Sequence, residues 1–324
     1  MATGHSSFDK LATSTLRNFP TEVLDSLSTN NALFFLLKKA GNLKVSAGGR
    51  EFTHPIRYKA NSTFGSYAHL ATIATDLQDN ITRAVYPQKS VAGSLVLSKW
   101  ELAQNKGNKE KLIDLVLEAK DDARVSMGEI MGDQVWKDGS VAADFDGLQH
   151  LINGSPSTQS DVGGIDPSAS DNTYWRNIVD TNTVTAFNTS QEGLTAMNSL
   201  LLNATFGAQG PRAVLTTKAI FSLYELGLTS NIRYTSTNIM ADSKFMHLVY
   251  ATMPVLFDDN CPTNGLYMVD TDNLWLQVLS GANMETTAFE ASHNQLSLIA
   301  LMWLVGQLTC GSRRTQGVIT TITG

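Results

Sequence analysis

The chain is short of charge. Asp, Glu, Lys and Arg make up 17% of its 324 residues, against about a quarter in soluble domains. Cysteine is scarcer still: Cys261 and Cys310 are too few for a disulfide framework or a four-thiolate metal site. The longest apolar run, 298–305, has eight residues, far below the roughly 20 that span a bilayer, so no membrane partner is expected. No basic stretch followed by an apolar one opens the chain, and no secretory signal is read there. A basic excess is missing too. The net charge of −6 argues against a nucleic-acid reader, which needs Lys and Arg to neutralise phosphates. With 42% apolar residues the chain can build a sizeable core. The expectation is a soluble, mildly acidic intracellular protein.

The charge that is present is graded along the chain. Residues 1–60 carry +4, residues 61–139 carry −2 and residues 140–324 carry −8. The last part fills its surface with Ser, Thr and Asn, a composition compatible with subunit contact as well as with an ordinary monomer.

Helical spacing is read at 8–18 and 21–39, broken at Pro20. The apolar run at 33–37, with Phe34 and Phe35 at its centre, calls for a partner surface. After Gly48-Gly49, residues 50–59 alternate, with Phe52, Ile56 and Tyr58 on one parity, which is the period of a strand. Pro55 places that strand at an edge. A polar stretch at 60–80 leads to a second strand-like run, 81–98. Together they read as a projecting β-loop, and a two-stranded hairpin is marginal without a neighbour. The clearest helix covers 109–136, with Leu112, Val116, Ala119, Ala123, Met127, Ile130 and Gln134 at steps of three and four. A loop at 153–173 is long enough to be functional or mobile. Beyond it the pattern becomes α/β: a helix from a capping box at Thr189 to Asn203, another at 217–228, and strands at 213–215, 248–257, 265–269 and 274–279.

Chemistry is not visible in local spacing. The six histidines show no metal or triad spacing, and no nucleotide-binding or nucleophile motif is present. Asp258, Asp259, Asp270 and Asp272 sit beside strands, where Asp is a common turn residue. They keep open an enzyme alternative with a spatially assembled acidic metal site. Cys261 and Cys310 read as buried thiols, and Arg313-Arg314 as surface or inter-subunit charges.

The order of the parts, carried by Phe8-Asp9-Lys10-Leu11, Gly48-Gly49-Arg50-Glu51-Phe52, Gly147-Leu148-Gln149, Tyr174-Trp175-Arg176-Asn177, Met253-Pro254-Val255-Leu256-Phe257-Asp258 and Cys310-Gly311-Ser312-Arg313-Arg314, resembles the tailed-bacteriophage major capsid protein of the Hong Kong 97 type. The resemblance runs over nearly the whole chain. It implies an α+β capsid fold: an N-terminal arm (1–44), an extended β-hairpin loop (45–99), a peripheral domain with a long spine helix (100–139), a mainly axial domain (140–300), and C-terminal strands returning to the peripheral domain (301–324).

The function implied is a structural subunit of an icosahedral virion, assembled in the host cytoplasm as hexamers and pentamers around double-stranded DNA that is not read by sequence. No catalytic residue, cofactor or metal is implied. Further partners would be a portal, a separate scaffolding protein and decoration proteins. Some members of the family cross-link Lys to Asn. Lys59 and Lys89 lie in the right region, but the local pattern of that chemistry is not matched and the cross-link stays unassigned. Another virion subunit, of a tail tube or a decoration, is the remaining structural alternative. The apolar run of the arm nominates Phe34 and Phe35 as subunit contacts, and the charge gradient nominates Arg57, Lys59, Arg83 and Lys89 in the hairpin with Glu118, Asp121 and Asp122 as their acidic partners on a neighbour.

Overall fold

A computed structural model describes residues 31–104, 109–181, 184–185, 187, 192–227 and 248–322, without the side chains of 109–115 and 118. The expected helix at 8–18, most of residues 21–31 and the capping box at Thr189 lie outside the described residues. The elements run α1 (Ala32–Lys39), β1 (Leu43–Ser46), β2 (Glu51–Arg57), β3 (Ile81–Pro87), β4 (Lys89–Ser98), α2 (Lys99–Gln104) and α3 (Lys109–Gln134). They continue with α4 (Leu148–Leu151), β5 (Ile178–Asp180), α5 (Glu192–Ala204), β6 (Ala213–Thr216), α6 (Lys218–Gly227), β7 (Leu248–Tyr250) and β8 (Met253–Phe257). The last strands are β9 (Leu266–Val269), β10 (Leu274–Leu279), β11 (Glu285–Thr286), β12 (Glu290–Ala291), β13 (Ser297–Cys310) and β14 (Gly317–Ile319).

Helix α1 begins where Asn31 Oδ1 accepts the Phe34 amide, the usual service of an N-cap. It ends in a Schellman turn: Gly41, at φ +71°, donates to Lys38 O while Asn42 donates to Leu37 O. Its apolar run is buried in the subunit's own core.

Two six-stranded sheets carry the fold. In the first, β13 is the central strand. It pairs along its length with β4, from Ser297 opposite Ser98 to Gly306 opposite Lys89. Its other edge takes β10, β11 and β12, and β1 runs parallel to β10. Helix α3 lies against β4 and buries Val116, Met127 and Met131. Ile130, expected on that stripe, is turned outward. Successive steps of four from Ala123 follow the slow drift of a 3.6-residue helix and reach Met131 instead.

The second sheet runs β5-β14-β9-β6-β8-β7 and separates two apolar cores. Ala213 and Leu215 of β6 face the core shared with the first sheet, while Val214 faces a second core with Met197 and Leu200 of α5. This alternation is why β6 reads as an unbroken apolar run. The chain after 301 serves both sheets, β13 in the first and β14 in the second.

Three sequence expectations change. The run at 81–98 is two strands: β3 pairs with β2, and β4 leaves for β13. The strand at 248–257 is a tight hairpin, β7 against β8, turning at Ala251 with φ +53°. The loop at 153–173 is tied down, with Trp175 Nε1 donating to Val162 O and Arg176 to the carbonyls of Pro167 and Ser168. Among the described residues no helix is long and apolar enough to cross a membrane.

Candidate assembly surface

Strands β2 and β3 form a separate ribbon in which Pro55 faces Arg83 and Arg57 faces Ile81. Paired residues share a face. Phe52, Ile56, Ala84 and Tyr86 are therefore turned inward and buried, while Pro55, Arg57, Ile81 and Arg83 are turned outward and exposed. Pro55 withholds no ladder bond, because Tyr58 donates to Asn80 O and the alternation from there leaves Pro55 and Arg83 a non-hydrogen-bonded pair.

The ribbon is jointed to the body at its base. Tyr86 donates to Cys310 O at 2.9 Å, and the Val85 amide donates to Gly163 O at 2.8 Å. Gly163 sits at φ +63°, and a Cβ there would meet Tyr86 at 3.0 Å, so the close approach requires glycine. His54 stacks on Trp275 with ring centroids 4.6 Å apart. Its Nε2 lies 3.0 Å from Thr309 Oγ1 and 2.9 Å from Gln277 Nε2. Burial, then the nearby Lys44 ammonium, lowers the imidazole from 6.5 to about 4, so it is neutral at pH 7.

Beyond the joint, residues 58–80 project. The limbs are held to each other: Tyr58 Oη donates to Asp79 O, and Ser62 Oγ donates to Gln78 Oε1. Phe64, Leu70 and Leu77 are 84%, 92% and 101% exposed, and Ile73 is exposed as well. A polar average over 60–80 concealed these side chains. Their spacing of three and four from Phe64 through Tyr67, Leu70 and Ile73 to Leu77 was the available signal. A thin loop has no second layer in which to bury them.

A second surface lies between α3 and β4. Ala92, Gly93, Ala119, Ala123 and Met127 line a groove of about 150 Å³ with Asp122 among its lining residues. Asp121 and Asp122 are both exposed. The side chain of Glu118 lies outside the described residues. On the ribbon, Arg57, Lys59 and Arg83 are exposed, and none is in an ion pair with a described residue.

Two nominated contacts are corrected. Lys89 is half-buried, donating to Ala142 O at 2.7 Å with Asp146 Oδ1 at 3.8 Å, because β4 belongs to the first sheet and not to the projecting hairpin. Phe34 is 1% exposed within its own core and has no side-chain surface left for a neighbour. Phe35 is half-buried against that core, with Lys39 Nζ 6.0 Å from its ring centre.

The four acids of the enzyme alternative are separately engaged. Asp259 pairs with Lys218 and Asp272 with Arg212, each at 2.6 Å, while Asp270 accepts from the Asp272 amide and from Asn273. Among the described residues no three His, Cys, Asp or Glu side chains gather to hold a metal. Asp258 is buried, with Oδ1 accepting the Asn260 amide and the carboxylate facing the Trp136 indole and Leu33 amide donors. Both cysteines are buried and free, and burial pushes the Cys310 thiol up to about 12.

Burial raises the Asp258 carboxyl above its usual value. A carboxyl raised on folding costs stability while it is ionised, and the cost fades as pH falls through the raised folded value towards 3.8. Asp258→Asn is therefore expected to melt above the wild type at pH 7, with the gain shrinking in acid. Thermal melts at pH 7, 5 and 4 check this, and a lower melting temperature at pH 7 would contradict it.

No family model and no curated relative matches this chain. Solved structures do. The capsid asymmetric unit of cyanophage A-1(L) is similar over 90% of this chain and 92% of that one, with 17% identity and a TM-score of 0.70. The capsid of Myoviridae phage XM1 is similar over 86% and 90%, with 11% identity and a TM-score of 0.53. The SrpI encapsulin complex of Synechococcus elongatus PCC 7942 is similar over 89% and 88%, with 10% identity and a TM-score of 0.54.

Proposed function

We propose, from the premise that this chain has the Hong Kong 97-type capsid fold shared with those phage capsids, that it is the major capsid subunit of a tailed bacteriophage. In this reading the chain assembles in the host cytoplasm into hexamers and pentamers of an icosahedral head that encloses double-stranded DNA. It works with a portal and a separate scaffolding protein, takes decoration proteins where the head carries them, and has no catalytic role. The first sheet with α3 is the peripheral domain, the second sheet is the axial domain, and the β2–β3 ribbon with residues 58–80 is the extended loop. The tail-tube, decoration and enzyme alternatives draw no support from the fold or from the acids.

The projecting loop carries this reading. Its apolar side chains have no cover within the described subunit, and apolar surface of that kind on a soluble protein marks an interaction site. A copy that covers them with a surface elsewhere on the next copy makes a heterologous contact, which builds a ring where the rotation between copies closes. We assign the outward ribbon face, with Arg57, Lys59 and Arg83, to the α3–β4 groove of a neighbour, where Asp121 and Asp122 are exposed. Exposed ion pairs contribute about 0–1 kcal/mol each, so charge sets encounter and register while apolar burial supplies most of the affinity.

Reversing Arg57 and Arg83 to Glu is expected to slow assembly, followed by light scattering. Raising salt from roughly 0.05 to 0.5 M should slow the wild type as screening shortens. Wild-type rates in the double variant, or salt-independent rates, would overturn the charge register. The reading as a whole is tested by negative-stain microscopy of the full chain. Closed shells or five- and six-membered rings are expected, and dispersed single subunits would overturn it. Particles from infected cells should hold nuclease-protected DNA; DNA-free particles would leave a shell but not a phage head.

A further inference from the structure

Burial alternates along β4, as it does along any strand with one covered face, and then it slips. Val91, Leu95 and Leu97 are buried in the main core, but Gly93, on the same parity, is exposed. A glycine inside a strand forgoes side-chain packing and often marks a place where another group comes close. Within the subunit nothing does. A Cβ added at Gly93 would meet no atom within 4 Å, and the backbone there has no positive φ that would call for glycine. The single chain gives no reason for this residue.

Gly93 lines the groove between β4 and α3. Its ladder partner Met302 and Met127 of α3 line the same groove as buried residues, while Asp122 and Ile130 line it as exposed ones. The volume, about 150 Å³, is that of an apolar cavity able to admit a benzene molecule. One aliphatic side chain fits; a helix or a strand does not.

We propose that this groove is a socket for Ile81 of a neighbouring copy. The inference rests on the proposed docking of the ribbon at the α3–β4 groove and names the side chain that enters it. Ile81 is 66% exposed on the outward ribbon face. It stands opposite Arg57 in the register, and Arg83 follows two residues on, on the same face. Both arginines are exposed and have no ion pair with a described residue. An apolar knob between two cations matches a small apolar hole with Asp122 in its lining and Asp121 exposed beside it. The knob displaces water from the hole, and the arginines meet the carboxylates around it. The exposed Phe64, Leu70, Ile73 and Leu77 lie outside the β2–β3 ladder, so no register holds them between cations. Knob and socket sit on different surfaces of one chain, which is the requirement for a heterologous contact.

Gly93→Val fills the socket from within, and Ile81→Ala removes the knob. Both positions are exposed, so circular dichroism and the melting temperature of the subunit should match the wild type. Each variant is expected to raise the protein concentration needed for shells or rings by about tenfold or more, the effect of losing one buried aliphatic side chain. Sedimentation and negative-stain microscopy read that threshold. Because both substitutions remove the same contact, the double variant should do no worse than the weaker of the two singles, whereas independent sites would multiply their effects. Gly93→Ala adds only the Cβ and should fall between wild type and Gly93→Val; it decides the matter if valine disturbs the strand. Wild-type thresholds in Gly93→Val and Gly93→Ala would overturn the socket while leaving the capsid reading intact. Multiplied effects in the double variant would overturn Ile81 as its occupant. Wild-type chains that form neither shells nor rings would overturn the capsid reading and this inference with it.

Discussion

Serine at Phe64, Leu70, Ile73 and Leu77 together is expected to abolish shell formation while leaving the subunit folded. All four side chains are exposed in the single chain, so their loss removes nothing from either core, and surface changes usually stay within about 0.5 kcal/mol. Between copies the effect is large. Covering a Leu, Ile or Phe contributes about 1.5–3 kcal/mol per side chain, and the contact recurs at every subunit of a closed assembly. Circular dichroism and the melting temperature should match the wild type, with sedimentation showing only small species. Normal shells from this variant would mean that the loop tip is not an assembly contact.

Arg313→Ala is expected to do the reverse, damaging the subunit itself. Arg313 is fully buried, and its bonds go to Leu151 O at 2.7 Å, Trp175 O at 3.0 Å, Gln159 Oε1 at 2.6 Å and Asn177 Oδ1 at 3.1 Å. All four acceptors are neutral, and burial lowers the guanidinium to about 10, which leaves it charged at pH 7. The side chain works as a staple between the turn after β13 and the segment 151–177. Removing it strands buried acceptors at about 1–3 kcal/mol each and opens a cavity. The total exceeds about 4 kcal/mol, a large part of the roughly 5–15 kcal/mol that holds a domain folded. Arg313→Lys restores at most part of the fork and should remain well below the wild type. Denaturant midpoints of the soluble fraction measure the effect, and a midpoint within experimental error of the wild type would contradict it.

Arg313 also shows where reading by sequence stops. As one of two adjacent arginines it looked like surface charge, and nothing local distinguished it from Arg314, which lies over the Phe206 ring. Its acceptors are about 140 to 160 residues away in the chain, a pairing that exists only after folding. Lys89 misled for a related reason. Its neighbours belong to a β-rich stretch, but β3 and β4 meet at Gln88 and part to different sheets. What was legible is what periodicity encodes directly: the alternation of β2, the long helix α3, and the apolar run of β6. Part order then made the capsid fold recognisable before any side chain was placed. The exposed apolar residues of 58–80 stand out only by their spacing, because the stretch that holds them is polar on average.

Cryo-electron microscopy of assembled particles tests the central claim most directly, by locating residues 58–80 relative to their neighbours. The account predicts Phe64, Leu70, Ile73 and Leu77 covered by an adjacent subunit, with Arg57 and Arg83 within reach of its Asp121 and Asp122. A loop folded back on its own subunit, or standing free in solvent within a closed shell, would contradict it.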